Sequence, residues 1–352
     1  MASRTHRGPP RTYAESGVDL ASRGAGLAAL LRRARYQAPP SHGRPVAAPG
    51  HFAGLIRIGR ETIAATTDTV GTKVLLARQL GRWEEVGEDL VAINVNDLAA
   101  VGARPAAVVD TILCDRAELP VFRALGLGIR RGLAEARCSL VGGETALVGE
   151  LIHDVDLGAT AIGFFPGRRR PILGGAIRPG DRVLGLASTG VHANGFTLVR
   201  RLLDEARVRL DRPRPGGRGP VGRELLRASR TYTGAVDAIA DLPGVVGLAH
   251  LSGAGFRNLL RLSSTVRFDL TPGAPPPLFA WLQGLGEISD REMYQTFNMG
   301  IGFSVIVRPR AVREVVRALR RAGAADVREI GAVASGRGVA LPELGLLYSR
   351  YT

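Results

Sequence analysis

The sequence predicts an α/β or α+β protein built as two units, and three observations carry that reading. Apolar segments of strand-like and helix-like spacing alternate along both halves of the chain. The composition turns abruptly to Gly, Pro and Arg in GRRRPILGGAIRPGDR, which marks a junction. The 352 residues, 45% of them hydrophobic, suffice for two cores of ordinary size. The divisions expected are an N-terminal tail with a short helix at 1–50, a first domain at 51–166, a linker at 167–180 and a second domain at 181–347. No period of 20–50 residues signals a solenoid.

The elements follow in order. Leu20, Leu27, Leu30 and Leu31 are spaced for a short amphipathic helix, and a Pro-rich stretch follows it. HFAGLIRIG and ETIAATTDTV read as strands around a Gly-Arg turn. Val86, Leu90, Ile93 and Leu98 form a helical stripe ended by Gly102. PAAVVDTILCD is β-branched and reads as a strand, residues 118–136 as a helix, and CSLVGGET and LGATAIGFF as strands. The second half opens with strand RVLGLAST, a tight GVHANG turn and helix FTLVRRLLDEA. RPRPGGRGP is expected to be an unpacked loop. GVVGLAHLSG then gives strand and turn, GFRNLLRL and LFAWLQGLG helices, and IGFSVIV a buried strand. AVREVVRALRRAG gives an amphipathic helix and VREIGAVAS a closing strand.

Charge is lopsided: 47 Lys+Arg oppose 32 Asp+Glu, for a net +15. All but one of the cations are arginine, and asparagine occurs at only five positions, as expected of a GC-rich coding background. The arginines are spread along the chain and lack interleaved aromatic partners, so a solvated basic surface is expected rather than a nucleic-acid partner. Such a surface still attracts a small anionic substrate. Two cysteines make neither a disulfide framework nor zinc spacing. No apolar run reaches the roughly 18 residues of a membrane span, and the first residues lack the apolar core of a secretory signal. The expectation is a cytoplasmic protein with no membrane partner.

Where background removes lysine and asparagine, the survivors carry information. The one lysine, Lys73, lies in TTDTVGTK with Asp68, Gly71 and Thr72. A carboxylate, a close-turning glycine, a hydroxyl and an ammonium suit a polyphosphate with Mg²⁺, although the P-loop spacing is missing and a structural turn reads equally well. Asn94, Asn96 and Asp97 cluster in NVNDLAAVGA, where mid-helix asparagines compete for backbone hydrogen bonds. In LVGGETA two glycines clear space beside Glu144. Carboxylates brought together need a cation among them, so Asp68, Asp97 and Glu144 are the expected metal acids if they converge. The second half offers His192 and Asn194 in STGVHANG, and Ser252-Gly253 in AHLSGAGF leading toward a helix N-terminus able to take phosphate.

TTDTVGTK, DLVAINVNDLAAVGA, LVGGETA, GDRVLGLASTGVHANGFTLVRRLL, VVGLAHLSGAGF and EMYQTFNMGIGF together resemble the phosphoribosylformylglycinamidine cyclo-ligases, in order and spacing. The opening YAESGVDL is similar too, and the resemblance spans about residues 13–345. It implies two domains and a homodimer whose N-terminal sheets close a barrel across the interface. It also implies ATP and Mg²⁺ as cofactors and an anionic phosphoribosyl substrate. The implied reaction closes formylglycinamidine ribonucleotide to aminoimidazole ribonucleotide: ATP phosphorylates the formyl oxygen, an amine attacks, and phosphate leaves. Carried over, Phe52, Gly54, Gly71, Thr72, Lys73 and Asn96 bind ATP, and Asp68, Asp97 and Glu144 hold the metal. His192, Asn194, Ser252 and Gly253 face the substrate, and Lys73, His192 and Asn194 are the catalytic set, with His192 the first candidate for general base. The chain departs at Thr69, where the family has glycine, at Ser252–Gly255 and at Ala228-Ser229-Arg230-Thr231-Tyr232. The alternatives are another ATP-using member of the same superfamily acting on a different substrate, and a non-catalytic nucleotide-binding homologue.

Overall fold

A computed structural model describes residues 12, 15–17, 20–34, 36, 38–46 and 50–351. The YAESGVDL opening falls partly outside the described residues, at 13–14 and 18–19. In chain order the first half comprises α1 (Leu20–Arg33), β1 (Arg44–Val46), β2 (Gly54–Ile58), β3 (Glu61–Thr69), α2 (Lys73–Leu80), α3 (Glu84–Ala99), β4 (Arg104–Cys114), α4 (Leu119–Ala136), β5 (Ser139–Leu147) and β6 (Val155–Phe164). The second comprises β7 (Arg182–Ala187), α5 (Phe196–Glu205), α6 (Val221–Leu226), α7 (Thr233–Asp237), β8 (Val245–His250), β9 (Val266–Leu270), α8 (Pro277–Leu285), α9 (Asp290–Thr296), β10 (Ile301–Val307), α10 (Val312–Arg321), β11 (Arg328–Ser335), β12 (Gly338–Leu341) and β13 (Leu346–Tyr348).

Each half is built on one mixed sheet. The first runs β1-β2-β3-β6-β4-β5, antiparallel except for the β4–β5 pair. The second runs β13-β12-β9-β11-β7-β10-β8, with β12–β9 as its parallel pair. Along β6, Val155, Leu157, Ala159 and Ala161 are buried, whereas Ile162 and Phe164 on the other face are exposed. The first sheet therefore has one face on the core and one open face.

Helix α3 is buried nearly all round, which marks a core helix rather than a surface one. Glycines let α4 lie against it backbone to backbone. A Cβ on Gly128 would stand 1.9 Å from the Glu84 carbonyl oxygen, one on Gly87 2.5 Å from that of Leu125, and one on Gly132 2.8 Å from the Val91 Cβ. Substituting any of the three forces the helices apart.

The structure differs from the sequence reading in several elements. GFRNLLRL is a 3₁₀ helix (Gly255–Arg261), and the residues after TTDTVGT continue as helix α2. Strands β9, β12 and β13 and the short helices α6, α7 and α9 lack the long periodicity that betrays an element. RPRPGGRGP is a loop with no buried residue, as expected, and Arg214 tethers it by donating to both carboxylate oxygens of Glu224 at 2.9 Å. Among the described residues no helix is long and apolar enough to cross a membrane.

Candidate active site

Two motifs of the first half, TTDTVGTK and LVGGETA, reach the same rung of its sheet. On the core-facing side, Asp68 of β3, Ala159 of β6, Asp110 of β4 and Gly143 of β5 lie on one rung. Asp68 and Asp110 are thus two strands apart, about 10 Å between Cα atoms. The Asp68 carboxylate accepts from the Thr69 N–H at 2.8 Å, and its carbonyl receives the Asn94 side-chain amide at 3.4 Å. Burial raises the Asp110 carboxyl above its usual range. Gly143 leaves it room: a Cβ there would lie 2.0 Å from Asp110 Oδ1.

Glu144 projects from the opposite face. It pairs with Thr111 on the rung of Gly158 and Thr69, three strands from β3. Asp97 accepts from His250 Nδ1 at 2.8 Å across the domain seam. The expected convergence of Asp68, Asp97 and Glu144 on a metal is therefore corrected: strand alternation separates Glu144, and His250 engages Asp97. Among the described residues no group of three His, Cys, Asp or Glu side chains is placed to hold a metal ion. Asp68 with Asp110 is the pair that shares a face, and two carboxylates plus phosphate oxygens are an ordinary Mg²⁺ set.

Lys73 is also placed otherwise than expected. It is wholly buried, its Nζ 2.6 Å from Asp89 Oδ2 and donating to the Arg227 carbonyl at 2.9 Å, beside the Phe196 ring. Asn96, equally buried, donates to the Arg230 carbonyl at 2.9 Å and accepts from the Tyr232 N–H at 2.8 Å. Both residues bind the second domain's backbone, which corrects their expected role as direct phosphate contacts. Phe52 is buried under the Arg261 guanidinium, edge-on to His51, whereas Gly54 begins exposed on β2. Gly71 turns with φ +66°, and the next residue, Thr72, meets Thr197 hydroxyl to hydroxyl at 2.9 Å.

In the second half, His192 closes its turn in the left-handed region at φ +65° and is 2% exposed. Its Nε2 accepts from the Thr189 N–H at 3.2 Å and the Arg230 N–H at 3.5 Å, which assigns the proton to Nδ1. Burial, with His250 and Lys73 nearby, holds its pKa well below the usual value. In this arrangement the ring holds the turn through its acceptor nitrogen, and nothing beside it among the described residues marks it as the general base. Asn194 and Gly253 do meet: a Cβ on Gly253 would stand 2.8 Å from Asn194 Oδ1. Ser252 and Gly253 form a half-buried turn that leads into a seven-residue 3₁₀ helix rather than an α-helix.

Sequence reasoning missed Asp89, Asp110, Ser229 and His250. Asp89 stands seven and eight residues before Asn96 and Asp97, on the same face of α3, and that spacing was the available signal. Asp110 sits amid a β-branched run, where nothing local distinguishes it.

Residues 50–165 match the family model for the AIR synthase related protein N-terminal domain, and residues 178–342 match its C-terminal domain. The phosphoribosylformylglycinamidine cyclo-ligase of Methanosarcina barkeri is 41% identical over 299 residues, 84% of this chain and 88% of the relative. That of Methanothermobacter thermautotrophicus is 40% identical over 312 residues, covering 88% and 91%. That of Thermococcus kodakarensis is 36% identical over 340 residues, covering 95% and 99%. Among solved structures, thiamine monophosphate kinase from Aquifex aeolicus superposes with a TM-score of 0.61 at 15% identity, over 94% of this chain and 99% of that one. A chain of a HypE–HypF complex does so with a TM-score of 0.64, also at 15% identity, over 90% and 94%. These two show a shared fold. With both domain models and the 36–41% identical relatives together, the chain belongs to the phosphoribosylformylglycinamidine cyclo-ligase family.

Proposed function

We infer that the chain catalyses the ATP-dependent closure of formylglycinamidine ribonucleotide to aminoimidazole ribonucleotide, with release of ADP and phosphate, as a step of purine synthesis in the cytoplasm. The observation that carries the reading is the 2.9 Å meeting of Thr72 and Thr197, which joins the TTDTVGTK motif to the STGVHANGFT motif across the seam. An amide oxygen is a poor leaving group. Transfer of the terminal phosphoryl group of ATP to the formyl oxygen converts it to phosphate, a neighbouring nitrogen attacks the formyl carbon, and the ring closes as phosphate departs.

The protein's part is to position the two reactants and balance charge. The backbone at Gly71-Thr72 turns toward the nucleotide phosphates, and the Asn194–Gly253 pair with Ser252 receives the substrate. Mg²⁺, held by Asp68 and Asp110 together with phosphate oxygens, would supply charge neutralisation when bound. Lys73 and His192 act indirectly, by fixing the seam and the turn. The enzyme works as a homodimer in which the open faces of the first sheets meet and close a barrel, supported by Ile162 and Phe164, large apolar side chains exposed on that face. The test is to supply ATP, Mg²⁺ and formylglycinamidine ribonucleotide and measure ADP and aminoimidazole ribonucleotide. Equal amounts of both support the reading. ADP formed only with another substrate sinks it in favour of a different ATP-using member of the superfamily.

A further inference from the structure

The segment Arg227–Tyr232, between α6 and α7, is gripped from both sides. From the first domain, Lys73 Nζ donates to the Arg227 carbonyl at 2.9 Å. Asp89 Oδ1 accepts from the N–H of Ser229 at 2.8 Å and from its hydroxyl at 2.5 Å. Asn96 takes the Arg230 carbonyl and the Tyr232 N–H at 2.9 and 2.8 Å. From the second domain, Thr189 Oγ1 donates to the Ala228 carbonyl at 2.6 Å, and the Tyr232 hydroxyl donates to the Ala187 carbonyl at 2.8 Å. The Arg230 N–H reaches His192 Nε2 at 3.5 Å. The segment is thus clamped between α3 and the 188–195 turn.

Lys73, Asp89 and Asn96 are each 0% exposed. Burying two charges and an amide is costly, and well-packed apolar side chains join domains at least as stably. Apolar contact is non-directional, however, whereas these bonds fix backbone atoms in one register. The same helix reaches the Asp68 carbonyl through Asn94, so one rigid element ties the acid-bearing strand to the 188–195 turn.

We propose that Asp89, with Lys73 and Asn96, is a positioning residue that sets the substrate-facing turn of the second domain against the nucleotide half by holding segment 227–232 through Ser229. This rests on the reading that the two halves carry nucleotide and substrate.

The test uses the full-length protein with Ser229→Ala, Ser229→Thr and the double variant Lys73→Met/Asp89→Leu, which replaces the buried pair by apolar side chains of similar size. Ser229→Ala should lower kcat about tenfold with the KM for ATP within about twofold, because displacement of reacting groups by a fraction of an ångström costs rate first. Ser229→Thr, which keeps the hydroxyl, should recover most of the rate. The double variant should melt near the wild-type temperature yet lose about a hundredfold in kcat. Hydrogen exchange should quicken at the Thr189 and Arg230 amides in Ser229→Ala. A folded Ser229→Ala and a folded double variant that both keep wild-type kcat, or unchanged exchange at those amides, would overturn the proposal and leave a merely structural seam. A wild-type protein that turns over no formylglycinamidine ribonucleotide would instead overturn the reading beneath it, and the exchange measurement would still report on the clamp.

Discussion

The two adjacent glycines of LVGGETA make a controlled experiment. At Gly142 an added Cβ meets nothing closer than Val109 Cγ1 at 3.8 Å, an ordinary contact. At Gly143 it would stand 2.0 Å from Asp110 Oδ1, 2.6 Å from Cγ and 2.9 Å from the Asp110 carbonyl oxygen. Relief requires the carboxylate to swing away or β5 to shift, by about an ångström in either case. Overpacking of this kind costs about 1–3 kcal/mol, and β5 is an edge strand that can yield, so the lower end is expected. Misplacing a group at the reacting centre by about 1 Å costs on the order of a hundredfold in rate. Gly143→Ala should therefore remain folded and lose far more kcat than stability, whereas Gly142→Ala should be near wild type in both. Steady-state turnover and thermal unfolding of the pair decide the matter. Equal kcat in the two variants would refute the placement of Asp110 in the site.

Two further outcomes follow from side chains at the seam and on the open sheet. The ring of His51 is largely enclosed, and burial lowers its pKa from 6.5 to about 4, with the Leu173 backbone favouring the charge, Arg261 opposing it and Asp97 favouring it. The unfolded chain takes up this proton at higher pH than the native protein, so stability is full above pH 6.5 and falls as pH drops toward 4, by up to about 3 kcal/mol. Urea unfolding from pH 7 to 4 should show a shallower loss in His51→Phe, and an unchanged loss would count against the assignment; His192, also depressed, adds a loss of the same sign in both proteins. On the open face, Ile162→Glu and Phe164→Glu should convert a dimer into a monomer of 37.2 kDa by sedimentation, and a wild type that already sediments as a monomer would end the barrel proposal.

The alternation of strands and helices in both halves was legible in the sequence, because long buried strands such as IGFSVIV and long amphipathic helices such as Leu119–Ala136 carry their periodicity openly. The motif turns were legible as well, since glycine and lone polar residues punctuate apolar runs. The partners within each motif were not. Lys73 stood out as the one lysine, yet its partner Asp89 lies in an acidic helix where a buried and a solvated carboxylate look alike from sequence. Glu144 was misread because its face depends on strand register, and the irregularity between Val108 and Val109 in the β4–β5 pairing sets which of Gly143 and Glu144 faces the core. The turn around His192 is visible in the sequence, whereas the burial of its ring comes from the fold and is not.

In the proposed reaction ATP turns the formyl oxygen of the substrate into a leaving group. The most direct measurement runs the reaction with that oxygen labelled as ¹⁸O and examines the released phosphate by mass spectrometry. One ¹⁸O atom is expected in each phosphate for every aminoimidazole ribonucleotide formed. Phosphate free of label, with product still formed in step with ADP, would contradict it.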